Sequence, residues 1–178
     1  MKPFSLSTDR ILLRAPEPKD IAVMLRFEND AEELEATSAA TGPYSRYQME
    51  RYIRNNTNDI FTDHELRYMI ACEREGQQEV VGMVDVFNFD PRHRKAEVGI
   101  LVSRPFRRQG IASEALRLVA GHCFQWIGMH QLYAYVRADN TPCLHLFLRE
   151  GFVQAGRLQD WVAQSHRYHD VVILQKLG

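Results

Sequence analysis

The chain contains no run approaching the ~18 consecutive apolar residues that a membrane-spanning helix needs, and its first residues lack the apolar stretch of a secretory signal. Cysteine is scarce. Cys72, Cys123 and Cys143 are an odd number without metal-ligand spacing, and each lies in an apolar-periodic segment where a thiol packs as a small hydrophobe. An excess of either charge is missing too: 22 Lys and Arg stand against 23 Asp and Glu, a formal net charge of -1, so no whole-molecule field draws the protein to nucleic acid or membrane. Internal repeats, low-complexity tracts and linkers are also absent. With 178 residues, 45% of them hydrophobic, the expectation is one domain covering residues 1–178, soluble and cytoplasmic, with no nucleic-acid or membrane partner.

What is present is a clear alternation of periods. A short strand over Arg10–Ala15 is broken by Pro16 and Pro18 before a helical stretch from about Asp20 to Asn29. Ser45 and Gln48 have the spacing of a capping box, and Met49, Tyr52 and Ile53 continue it as a helix that fades near Asn55–Asn58. Leu66–Cys72 and Val80–Phe89 read as strands joined by a turn containing Gly76. After a turn at Asp90–His93, a third strand runs over Lys95–Val102, with Ala96, Val98, Ile100 and Val102 on one face. From Gly110 to Trp126 the period becomes helical, with Ile111, Ala115, Leu118, Val119, His122 and Trp126 in one stripe. A strand over Gln131–Arg137, a helix from Thr141-Pro142 to Gly151, and strands over Phe152–Leu158 and Val171–Lys176 complete the series. The order β-α-α-β-β-β-α-β-α-β-β predicts an α+β, mixed α/β fold with helices flanking one mostly antiparallel mixed sheet. Trp126, Phe124, Tyr133 and Tyr135 read as core and sheet-face residues.

The chemistry concentrates where the third strand meets the long helix. Gln109, Gly110, Ile111, Ala112 and Ser113 offer consecutive backbone N–H groups at a helix N-terminus, where partners are missing and the dipole is positive. Gly110 and Ala112 keep a close approach open, while Arg107 and Arg108 add forked cationic donors. That combination suits a pyrophosphate. It is neither G-x-x-x-x-G-K-[ST] nor G-x-G-x-x-G, which weighs against nucleoside triphosphates and NAD.

Arg107-Arg108-Gln109-Gly110-Ile111-Ala112 resembles the pyrophosphate loop of the GNAT superfamily of acyl-CoA N-acyltransferases. The segment from Asn140 to Gly151-Phe152 is similar to that family's Asn-led helix closing in Gly-Phe, a second CoA-contacting element. Arg10–Ala15 and Arg167–Val171 look like the branch that holds ribosomal-protein N-terminal and spermidine acetyltransferases, and His93–Glu97 looks closer to the spermidine enzymes of that branch. The resemblance implies acetyl-CoA as co-substrate and no metal. It implies a primary amine as acceptor, either a small molecule such as a polyamine or a protein N-terminus, and a homo-oligomer, since relatives in the branch often form dimers or larger rings. It places Ile100, Leu101, Val102, Arg107 to Ser113, Asn140 and Phe147 against the cofactor.

Within that frame each residue has two readings. Glu97, on the face opposite Ala96 and Val98, is the candidate proton acceptor for the attacking amine, or else forms a salt bridge to Arg94 or another nearby base. Backbone N–H groups near Leu101 and Val102 either face the reacting carbonyl or pair in an ordinary ladder. Phe147 stands where many relatives have an acid-supplying Tyr, which leaves solvent or Tyr135 as the proton source and keeps a non-catalytic acyl-CoA-binding module as an alternative. Cys143 is a packing residue or, in a helix first turn, an acyl-accepting thiol. His166 and His169 lack the companions of a metal site. Glu28–Glu35 holds five carboxylates in eight residues, either a solvated loop or an attractor for a polycation through Glu32 and Glu33.

Replacing Gly110 with Asp should place bulk and negative charge against the pyrophosphate. Calorimetry should show acetyl-CoA binding weakened by about 2 kcal/mol or more; unchanged affinity in a folded variant would remove the loop from the site.

Overall fold

The computed structural model describes residues 5–30, 42–74, 76–164 and 167–178. Strand β1 (Ile11–Arg14) leads through a 3₁₀ turn at Pro18–Asp20 into helix α1 (Ile21–Asn29). Helix α2 (Arg46–Asn55) starts as its capping box predicts: the Gln48 N–H donates to Ser45 Oγ at 3.2 Å and the Ser45 N–H to Gln48 Oε1 at 2.7 Å. A one-turn helix α3 (Ile60–Asp63), absent from the sequence reading, is capped by Asp59 and closed by His64 at φ 58°. Then follow β2 (Leu66–Arg74), β3 (Gln77–Asp90), β4 (Lys95–Val102), α4 (Ile111–Gly121), β5 (Gln131–Arg137), α5 (Thr141–Arg149), β6 (Val153–Gln164) and β7 (Arg167–Leu177).

The seven strands form one sheet in the order β1-β2-β3-β4-β5-β7-β6, antiparallel throughout except for β4 beside β5. That parallel pair is short. Only Lys95, Ala96 and Glu97 pair with Gln131, Leu132 and Tyr133, after which the strands part. The sheet buries both faces, as its alternating pattern requires. On one face Val98, Val102, Leu132 and Leu174 pack under α4 and α5; on the other Met69, Met83 and Leu101 pack under α1 and α2 through Met24, Phe27 and Met49.

Two expectations are corrected. The long helix does not continue with α-helical winding to Trp126: residues His122–Ile127 form a π turn, whose extra residue slips the phase, so Cys123 turns fully inward and Trp126 is 67% exposed. Phe124 is half-buried. The last two strands are also longer than the apolar alternation indicated, because backbone pairing carries the hairpin on to Gln164 and Arg167 after the alternating side chains end. Among the described residues no helix is long and apolar enough to cross a membrane.

At Gly82 the β4 backbone leaves no room for a side chain on β3. An added Cβ there would overlap the Leu101 carbonyl oxygen and press on the Val102 backbone at 3.1 Å, so only glycine lets the two strands stay paired. Gly82→Ala should therefore lower stability by roughly 1–3 kcal/mol, the range of an overpacking substitution, read as a drop in the denaturant midpoint. An unchanged midpoint would show that the strands separate without cost.

Candidate active site

Beyond Glu97 and Tyr133 no ladder joins β4 to β5, so the two strands part and leave a slot between them. Ser103, just beyond β4, donates its N–H to the Val81 carbonyl at 2.9 Å, which sets the phase of the β3–β4 ladder. By the alternation of antiparallel strands the Leu101 N–H then faces β3, and the Val102 N–H and carbonyl face the slot. Arg107 confirms the carbonyl's direction, donating from Nε to the Val102 oxygen at 2.8 Å.

On the α4 side, the loop from Arg104 to Gly110 delivers the chain into the helix through two left-handed residues, Arg108 at φ 61° and Gly110 at φ 82°. Gly110 is the N-cap, and its carbonyl accepts the Glu114 N–H at 3.1 Å. The N–H groups of Ile111, Ala112 and Ser113 precede the first bond of the helix and have no acceptor among the described residues, so they remain available at the positive end of the dipole. Arg10, from outside the motif, braces this turn: Nη2 donates to the Gln109 carbonyl at 2.7 Å and Nη1 lies 3.8 Å from Glu114 Oε2. A Cβ on Gly110 would meet only Arg10 Nη1, at 3.8 Å. Exposed guanidinium groups, unpaired N–H groups and open space before the helix fit a pyrophosphate.

The other cofactor candidates divide. The Ser113 side chain turns inward, its Oγ donating to Glu150, whose carboxylate is 8% exposed and also takes Arg117 at 3.2 Å; only its backbone N–H is left for a ligand. Asn140 caps α5 by accepting the Cys143 N–H at 3.3 Å. Phe147 is 2% exposed and meets Phe152 edge to face at 4.9 Å, which places its ring in the core. Ile100 lies partly buried on the slot wall. Burial pushes the Cys143 thiol up to about 11, so it supplies little thiolate for an acyl-cysteine route.

On the opposite face, Glu97 occupies the last paired position before the slot. Its carboxylate is half-buried and makes no ion pair among the described residues; Arg94 is not its partner. Instead Asn88 Nδ2 donates to Glu97 Oε2 at 3.0 Å. Burial raises the Glu97 pKa above the usual carboxylate value, and the Asn88 bond offsets part of that rise. Asn88 reaches it because β3 is irregular between Phe87 and Asp90, with Asn88 at φ 52°, a left-handed conformation that asparagine tolerates better than most residues. Asn88 was missed by the sequence reading; the only signal was an asparagine between Phe87 and Phe89 in a strand-like run. Tyr135, considered as a substitute acid, stands on the Glu97 face, whereas Phe147 belongs to the core under α5. Glu32 and Glu33 lie outside the described residues.

The chain thus presents unpaired N–H groups at a helix N-terminus on one face of the sheet and a carboxylate raised by burial on the other. The acetyltransferase (GNAT) domain model matches residues 10–153, so the chain belongs to that family and is an acetyl-CoA-dependent N-acetyltransferase. The spermidine N(1)-acetyltransferase of Vibrio cholerae is 25% identical over 130 residues, 72% of each chain. An uncharacterized N-acetyltransferase of Bacillus subtilis is 27% identical over 177 residues, 93% of this chain and 92% of the other. The crystal structure of V. cholerae spermidine N-acetyltransferase in complex with CoA and spermine shares the fold, with a TM-score of 0.83 at 22% identity over 96% of each chain.

Asn88→Gly, which removes the donor while accepting the left-handed backbone, should shift the acidic limb of the pH–rate profile upward, since the lost hydrogen bond favoured the charged carboxylate. A limb that stays in place would mean that Asn88 does not set the ionisation that limits turnover.

Proposed function

We propose that the enzyme acetylates a primary amine of the polyamine class by direct transfer, with Glu97 as the proton acceptor. The observation that carries this reading is a carboxylate at the vertex of the slot, half-buried, without a cationic partner among the described residues and facing away from the pyrophosphate-binding turn. An amine with a pKa near that of Lys, ~10.4, is protonated at neutral pH and must lose a proton before it attacks. A carboxylate raised by burial is the better acceptor for it, and it works in its ionised form, so turnover should fall as the pH drops through the Glu97 pKa.

Acetyl-CoA supplies an activated acyl group whose thiol has a pKa around that of Cys, ~8.5. The slot-facing N–H of Val102 is the donor suited to charge growing on the reacting oxygen, while the Leu101 N–H is turned to β3. With Phe147 in the core, the departing thiolate takes its proton from solvent. Arg107, Arg108 and the first turn of α4 hold the phosphates. The polyamine assignment draws on the spermidine enzymes among the relatives; a protein N-terminus is the competing acceptor within the same chemistry.

Purified protein incubated with acetyl-CoA and a panel of spermidine, monoamines and N-terminal peptides should release CoA fastest with spermidine. Glu97→Gln should lower turnover about 10²-fold and flatten the acidic limb, with acetyl-CoA affinity by calorimetry unchanged. A normal pH profile in that variant would return Glu97 to a structural role, and polyamines no better than monoamines would remove the acceptor assignment.

A further inference from the structure

The strand register places three side chains in one row on the acceptor side of the sheet. Phe87 of β3 is the direct partner of Glu97, and Glu97 is the direct partner of Tyr133 on β5. Side chains directly opposite one another in paired strands share a face. Tyr135, two residues further along β5, rejoins that face beyond the point where β4 departs, and its ring meets Tyr133 edge to face at 5.7 Å. Phe87 leans over β4 toward Gly99, its Cε1 lying 3.4 Å from where a Cβ would stand there. The register therefore puts an aromatic residue directly opposite Glu97 on each neighbouring strand. Phe87 and Tyr133 are half-buried and Tyr135 is 44% exposed, so the group is reached from solvent.

Two cations share this face at the ends of the row: Lys95, two residues before Glu97 and opposite Asp90 in the ladder, and Arg137, two residues beyond Tyr135 and held by Asp139 at 2.8 Å. Burial, then the nearby Glu97, Tyr135 and Asp90, hold the Tyr133 phenol above its usual value, which keeps it neutral at physiological pH. The Arg67 guanidinium, on the same face, is taken up by Asp85 at 2.7 and 2.8 Å and by Glu28 at 2.7 Å. Ring faces carry a negative quadrupole, and rings around a carboxylate form the arrangement that binds alkylammonium ions.

We propose that Phe87, Tyr133 and Tyr135 form, with Glu97, an aromatic cage that binds the acceptor in its protonated, alkylammonium form. The cage makes these rings specificity-determining residues: they favour an amine on an alkyl chain, the form dominant at neutral pH, over a neutral nucleophile of the same shape. The proton leaves the bound ammonium for Glu97 only afterwards. This rests on Glu97 being the acceptor-side carboxylate, as set out above.

The test uses a cation that can neither lose a proton nor be acetylated. n-Butyltrimethylammonium should compete with the amine acceptor and bind, by calorimetry, at least about tenfold more tightly than 1-butanol. Phe87→Leu and Tyr135→Leu should each weaken the cation about three- to tenfold and leave 1-butanol unchanged. Tyr135→Phe, which keeps the ring and removes the hydroxyl, should bind like the parent; circular dichroism and acetyl-CoA affinity report whether the variants remain folded. Equal affinity for the cation and the alcohol, or leucine variants that bind the cation like the parent, overturns the cage even if Glu97→Gln still abolishes the acidic limb. Selective cation binding combined with a normal Glu97→Gln pH profile would instead leave the cage standing and remove the catalytic reading.

Discussion

Three residues of parallel pairing between β4 and β5 organise this molecule. Were the ladder longer, the Val102 amide would be bonded to a neighbouring strand and the sheet would be a closed wall; were it absent, nothing would hold Glu97 at a defined height beside Tyr133. The parting is held by what surrounds it. β3 is tied to β4 across the close approach at Gly82, and β5 is tied to β7 along its whole length. Each wall of the slot thus keeps a full set of partners on its outer side, and only the inner sides are left without one. Buried strand edges are costly unless something satisfies their polar groups, which is why such an opening persists only where a ligand or solvent enters.

Charge pairs then fix the helices to that frame. Arg14 and Asp20 meet in a two-pronged pair at 2.7 and 2.9 Å, locking the turn into α1 against β1, and Asp20 is held below the ordinary carboxylate value because this pairing and the Glu17 N–H outweigh the effect of burial. Arg67 joins β2 to β3 through Asp85 and to α1 through Glu28. Glu150, at the end of α5, reaches Ser113 and Arg117 on α4, while its carbonyl accepts Lys176 Nζ at 2.6 Å. Apart from Arg14–Asp20, six residues apart, these contacts bind elements distant in sequence, and removing one partner would leave a half-buried charge uncompensated.

How far the sequence announced this depends on the range of the interaction. The capping box at Ser45, the strand over Lys95–Val102 and the glycine at the α4 entry are written in neighbouring residues, and local rules are enough to read them. Arg10 on Gln109, Asn88 on Glu97 and Glu150 on Ser113 span 99, 9 and 37 positions, and nothing in the local pattern of either partner names the other. The π turn escaped for a different reason. Its residues keep a helical period until the winding changes, and one inserted residue is enough to carry Trp126 from the predicted core to the surface. Phe147 was legible as a departure from the acid-bearing pattern, but its burial against Phe152 was not, because burial depends on where α5 settles.

The two mouths of the slot have a kinetic meaning. α4, with its exposed N-terminal amides, covers one face of the sheet, and Glu97 opens on the other, so neither ligand has to travel past the other's binding groups to arrive. A molecule resting in one mouth leaves the second clear. On the direct transfer proposed above, both mouths must be filled at once, and the sheet is the partition between the two reservoirs.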